Sequence, residues 1–319
     1  MSTRKLGAIA SALAVALLGA SFMTGNVAAR EADKEGSAKP ADLAKADNDF
    51  GIDQFKRLHK DGENTFISPT SIATAMQMAT EGARGETKAE LEKALGTADI
   101  DTPEAVKGFG AELAKRDGVK LSMANSLWAD PDRVTLNDEY VQNMQDYFDS
   151  AVKTADFGNP ATVKAINDWI AGKTNNLIRD MLKEIPEVAV SYLINAIYFK
   201  GDWTVKFDKK KTKEADFHLA GGDTKKVKLM SRNDDIPYSE QDGVQIAKLT
   251  YGKDKKNAMW VLLPSEEKGL DQLVKDFDAA TFKKWQQRTW EREGTIKLPR
   301  FKLHFKKELS DSLKAAGIV

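Results

Sequence analysis

No cysteine occurs among the 319 residues of this chain. That excludes disulfides, zinc–thiolate centres, thiol catalysis and lipid attachment through a cysteine. Histidine is almost as scarce. His59, His218 and His304 stand far apart, and none reads as having a ligand-like neighbour. Surface positions are therefore expected for all three, with no metal site. An excess of positive charge is missing too, because 48 Lys and Arg balance 48 Asp and Glu. A nucleic-acid footprint needs a basic face, so no nucleic-acid partner is expected. Catalytic signatures are also absent: the chain has no G-x-S-x-G turn, no H-E-x-x-H helix and no Walker loop. "GFGAEL" at Gly108–Leu113 holds two glycines of a dinucleotide fingerprint, lacks the third, and reads as helix. The chain is thus expected to have no catalytic residue and no cofactor, and not to be an enzyme.

What is present begins with an address. Arg4 and Lys5 precede "LGAIASALAVALLGASFM", and Val27–Ala29 offers small residues for cleavage. A charged start, an apolar stretch and small residues at a cut describe a secretory signal peptide over residues 1–29. The apolar stretch reaches the lower length limit of a spanning helix, but its Gly, Ser and Ala content favours cleavage over anchoring. Removing it leaves 46 basic against 48 acidic residues and no membrane attachment. An exported protein without cysteine suits a bacterial product, periplasmic or extracellular. Residues 30–47 are rich in Ala, Lys, Asp and Glu, and are expected to form a flexible linker. Residues 48–319 are expected to fold as one region.

Helical and extended patterns alternate irregularly through that region. Phe55 and Leu58 lie at helical spacing. "NTFISP" reads as a short strand ending at a helix start, with Ser68 as N-cap and Pro69 in the first turn. Ile72, Ala75, Met76 and Ala79 make that helix's buried stripe, Gly82 ends it, and Thr87 to Leu95 makes the next. Val119 to Leu127 fits a strand, although Asn125 breaks its alternation. Val163–Leu182 reads as one long amphipathic helix, and Val188–Phe199 and Ala258–Pro264 as strands. The pattern specifies an α+β domain with sizeable antiparallel sheets. Two basic clusters, Lys209–Lys213 and Lys225–Lys228, could meet a polyanion, but each is flanked by acids and reads as a solvated hairpin face.

"YLINAIYFKGDW" contains the most informative polar residue. Asn195 interrupts a run that otherwise reads as a fully buried strand, and a buried amide without partners is costly. Ser68 and Ser71, at the start of an apolar helix, are candidates to meet it. Such a cluster either fixes packing or lies where strands must separate.

Five segments resemble successive landmarks of the serpins: "NTFISPTSIATAMQMATEGARGETKAEL", "INDWIAGKTNNLI", "LINAIYFKGDWTVKF", "MWVLLPSEEKGL" and "IKLPRFKLHFKKELSDSLKAAGIV". They occur in the family's order from about residue 48 to Val319. The resemblance implies an α+β fold of large, mostly antiparallel sheets packed with about eight or nine helices. It implies that Ser68, Ser71 and Asn195 form the polar "shutter" behind the central sheet, and that Trp203 belongs to the "breach" at its top. It also implies a monomeric suicide inhibitor of a serine endopeptidase, or in some members a cysteine endopeptidase. The protease cleaves an exposed reactive loop, which then inserts into the central sheet. A non-inhibitory serpin-fold binding protein is the alternative.

The family pattern normally continues past "AAGIV" into a strand, a Glu- and Ala-rich hinge, the reactive loop with its bait residue, and a final apolar hairpin. No hinge-like run occurs anywhere in these residues, so the bait residue is not in the chain and truncation is expected. The chain alone is then expected to be inactive, and "FKLHFK" at Phe301–Lys306 to lack its strand partner.

Overall fold

The computed structural model describes residues 39–113, 118–219, 222–302 and 307–318. The expected signal peptide and residues 303–306 of "FKLHFK" lie outside them. In chain order, the first half contains α1 (Pro40–Leu58), α2 (Pro69–Gly82), α3 (Gly85–Leu95), α4 (Thr102–Leu113), β1 (Val119–Ala129), α5 (Asp138–Asp146), β2 (Ser150–Thr154), α6 (Pro160–Lys173) and β3 (Ser191–Gly201). The second half contains β4 (Lys213–His218), β5 (Thr224–Gln241), β6 (Val244–Tyr251), β7 (Asn257–Pro264), α7 (Gly269–Asp276), α8 (Ala279–Gln287), β8 (Trp290–Pro299) and α9 (Ser310–Ala315). No helix among the described residues is long and apolar enough to cross a membrane.

Two compact units emerge. One comprises residues 39–51, 68–201 and 309–318 of the described chain, and the other residues 52–67 and 202–302 with 307–308. The first unit is built on a three-stranded sheet of order β2-β1-β3, with β2 parallel and β3 antiparallel to β1. Alternate residues of a strand face opposite sides. Leu127 accordingly packs with Leu43, Met78, Val106 and Met144 from α1, α2, α4 and α5. Its neighbour Trp128 packs with Phe157, Ile166 and Ile170 on the α6 side. Both faces are covered, which explains why β3 reads as a nearly unbroken apolar run.

The entry into α2 follows local rules. Ser68 is extended (φ −113°, ψ 100°) and its hydroxyl accepts from the Ser71 amide at 3.3 Å, with Pro69 in the first turn. Gly51 of α1 lets this turn approach, since a Cβ there would lie 2.2 Å from Pro69 Cβ. Gly96 (φ 68°) closes α3: Thr97 N–H reaches the Glu92 carbonyl and Gly96 N–H the Lys93 carbonyl.

The second unit carries a five-stranded antiparallel sheet of order β4-β5-β6-β7, with β8 also paired to β5. Val244 and Ile246 point to one face, with Trp260, Leu273, Phe277 and Trp285. Ala247 and Leu249 point to the other, with Ile236 and Leu298. The basic clusters sit as expected on the β4–β5 hairpin and its approach, where Lys226 pairs with Asp216 at 2.8 Å.

Several expectations require correction. The linker does not reach residue 47: α1 starts at Pro40, because Leu43 (1% exposed), Ala44, Ala46 and Asp47 pack into the first unit. The long helix over Val163–Leu182 stops at Lys173. There the Thr174 hydroxyl donates to the Ile170 carbonyl at 2.8 Å, and Asn175 and Asn176 turn left-handed (φ 52° and 59°). Ile178 and Leu182 still pack against the α6 cluster, which explains their helix-like spacing. Residues 64–68 form no strand, because no described strand lies alongside to complete a ladder. Finally, His59 is not a surface residue. Its side chain is 9% exposed.

Candidate functional site

The midpoint of the β1–β3 ladder places two asparagines opposite each other, Asn125 on β1 and Asn195 on β3. Directly opposed residues project to the same face. Both are odd-numbered, like Leu127 and Leu193, so they face the side covered by α2. The N-terminus of α2 supplies Ser71 to that face. A directional relay results. The Ser71 hydroxyl donates to Asn195 Oδ1, Asn195 Nδ2 donates to Asn125 Oδ1 at 2.6 Å, and Asn125 Nδ2 donates to the Phe148 carbonyl at 2.5 Å. Ser68 joins through the backbone of Ser71.

The structure therefore brings Ser68, Ser71 and Asn195 together. Asn195 is half-buried rather than enclosed, since β3 pairs with a described strand on one side only. The buried member is Asn125. Sequence reasoning did not include Asn125 in the site, although its interruption of the apolar alternation in "LSMANSLW" was the available signal. Each polar atom of the two amides that the relay uses has one partner, which matches the cost of leaving a buried amide unpaired. Among the described residues neither serine has a histidine or carboxylate partner that would activate it as a nucleophile. The relay ties β3 to β1 and to the start of α2.

Trp203 lies in the other unit, just after β3. It makes an isolated antiparallel bridge to Tyr251 at the end of β6 and stacks on that ring (centroids 4.3 Å apart, planes at 17°). Phe207 meets its edge at 5.9 Å. The Arg232 guanidinium sits 5.1 Å from the Phe207 ring centre and donates to the Val205 carbonyl. Burial raises the Tyr251 phenol to about 12 and lowers the Arg232 pKa, partly offset by Asp234. Backbone bonds from Thr204 to Thr250 (2.9 Å) and from Gly252 to Asp202 (2.8 Å) fasten the segment. This is an aromatic clasp without a catalytic arrangement.

Comparison with known proteins bears on the family of the chain as a whole. Residues 45–319 match the family model described as Serpin (serine protease inhibitor). Serpin B11 of Homo sapiens is 32% identical over 305 residues, covering 86% of this chain and 77% of that protein. The leukocyte elastase inhibitor of Equus caballus is 31% identical over 295 residues, covering 86% and 76%. Among solved structures, the thermophilic serpin tengpin in its native state superposes with a TM-score of 0.80 at 27% identity, covering 92% of this chain and 74% of that one. A helix-covered sheet with a polar relay, a second antiparallel sheet and a match over six-sevenths of the sequence agree in one assignment: the chain belongs to the serpin family.

Proposed function

We propose that this chain is the scaffold of an exported, monomeric bacterial serpin. Its complete form inhibits a serine endopeptidase, or a cysteine endopeptidase, as a suicide substrate. The protease attacks a reactive loop and forms an acyl-enzyme, and the cleaved loop enters the central sheet as a new strand. Ser68, Ser71 and Asn195 act as the shutter, joined by Asn125, and Trp203 belongs to the breach.

The observation that carries this reading is the state of β3. It is paired with β1 along its whole length, while no described strand pairs its other side. An extended segment added there gains a ladder of main-chain hydrogen bonds. The relay crosses the ladder at its middle, where side-chain amides can trade partners as strands part. The name of the horse leukocyte elastase inhibitor supports a protease as partner.

Residues 48–319 contain no counterpart of the hinge or bait, so the chain alone is expected to be inert toward proteases. The test begins with the coding sequence beyond codon 319. If it encodes a hinge and loop, the extended protein mixed with trypsin- or subtilisin-like proteases is expected to give a complex stable to detergent. The present chain is expected to give none. Clean cleavage of the extended protein without a complex would overturn inhibition of those proteases and favour a serpin-fold binding protein.

A further inference from the structure

The end of α1 and the first turn of α7 bring together three groups that lie far apart in sequence. His59 Nε2 is 2.9 Å from Asp271 Oδ1 and 3.9 Å from Asp61 Oδ1, and the three potential ligand atoms lie within 4.8 Å of one another. The imidazole is 9% exposed and stacks on Phe55 one turn back (centroids 6.3 Å apart, planes at 27°). Its Nδ1 is buried without a hydrogen-bond partner. Nε2 is therefore the ring atom through which His59 meets other polar groups, and it is aimed at the two carboxylates.

Asp271 is held firmly, because Leu273, Val274 and Phe277 of the same segment lie in the core of this unit. Asp61 sits in the turn that follows α1, closed by the Glu63 amide on the Lys60 carbonyl at 3.1 Å, with Gly62 left-handed at φ 76°. Its side chain is 82% exposed and has room to swing toward the other two. Lys56 does not neutralise the pair from α1. Its ammonium is placed on the Lys275 carbonyl, in the last turn of α7.

A hydrogen bond from His59 accounts for one carboxylate and leaves the second converging on the same atom. A divalent cation accounts for both. With tetrahedral metal–ligand bonds of about 2.0–2.1 Å, adjacent ligands of Zn²⁺ stand about 3.3–3.4 Å apart. The His59–Asp271 and His59–Asp61 separations of 2.9 and 3.9 Å bracket that value, and both are reached by side-chain movement. We propose that His59, Asp61 and Asp271 form a surface site for a first-row divalent cation, with Zn²⁺ the favoured occupant and water completing the shell. One imidazole with two carboxylates suits Zn²⁺ better than Mg²⁺, which takes oxygen ligands, and the chain has no thiolate to compete. A bound ion would tie the end of α1 to α7.

The experiment is calorimetric titration of the full, tag-free chain with zinc chloride in chelator-treated buffer. One ion per chain is expected to bind, with a rise in melting temperature. Asp61→Asn, at an exposed position away from the core, is expected to weaken binding about tenfold or more, and Asp271→Asn and His59→Ala likewise. Cobalt added instead is expected to show visible absorption bands that Asp61→Asn diminishes. No zinc binding at millimolar concentration, or binding unchanged by both aspartate substitutions, would overturn the site. Equal affinity for Mg²⁺ would overturn the role given to the imidazole.

Discussion

Asp47 carries a carboxyl group into the interior of the first unit, where Gln77 Nε2 donates to its Oδ1 at 2.7 Å. Desolvation raises its pKa to about 7, against the opposing effect of that hydrogen bond. The folded chain thus binds more protons than the unfolded chain between about pH 4 and 7, and stability declines as pH rises through that window. Gln77 Oε1 is buried without a partner, which a neutral Asp47 carboxylic acid can supply with its O–H. Asp47→Asn offers the same pairing without ionising. It is expected to flatten the pH dependence and to stabilise the protein at pH 8 by on the order of 2–4 kcal/mol, read from urea unfolding at pH 5 and pH 8. A variant less stable than the parent at pH 8 would refute this account. Asn125 presents the opposite case, a buried neutral amide with its partners in place. Asn125→Leu strands Asn195 Nδ2 and the Phe148 carbonyl, and is expected to cost about 1–3 kcal/mol by the same measurement.

At the scale of elements, the join between α1 and α2 is governed by one missing side chain. Gly51→Ala would drive a methyl into Pro69, whose ring and backbone cannot both withdraw. A loss of about 1–3 kcal/mol is expected, seen as a lower thermal midpoint, whereas Gly110→Ala on α4, with open space around it, should be neutral or stabilising. This join also shows what was legible in the sequence. The Ser68–Pro69 start of α2 is read correctly because capping chemistry is confined to a few neighbouring residues. The start of α1 is not, because Ala and charged residues around Leu43 look solvent-loving until α2 and α4 cover them. The apolar run before Ser68 misleads for the converse reason: a strand needs a neighbour, and none of the described strands provides one. Ser71 and Asn195 were legible as partners because a polar residue in an apolar strand demands one. The approach of Asp271 to His59, 212 positions away, left no local trace.

For the whole molecule, the balance between buried and exposed apolar surface decides behaviour in solution. Val188 (89% exposed), Leu177 (68%) and Trp290 (63%) stand out from their surroundings, and one flank of β3 has no described strand beside it. Such surfaces and edges promote association between chains. Residues 30–319 expressed alone are expected to fold but to associate as concentration rises, with broad size-exclusion profiles. A sharp monomeric profile at every concentration would refute this.

The length of β5 has a further effect. Within the second unit it pairs first with β4 at residues 224–229, then with β8 at 229–238, then with β6 at 238–241. Three antiparallel pairings thus share a single strand, and successive pairings meet at Leu229 and Tyr238. Amide protons along β5 are accordingly expected to exchange with deuterium more slowly than those of α7, and to be released together. Within its own unit β5 is thus the strand to which three others are fastened, and it is the element expected to open last.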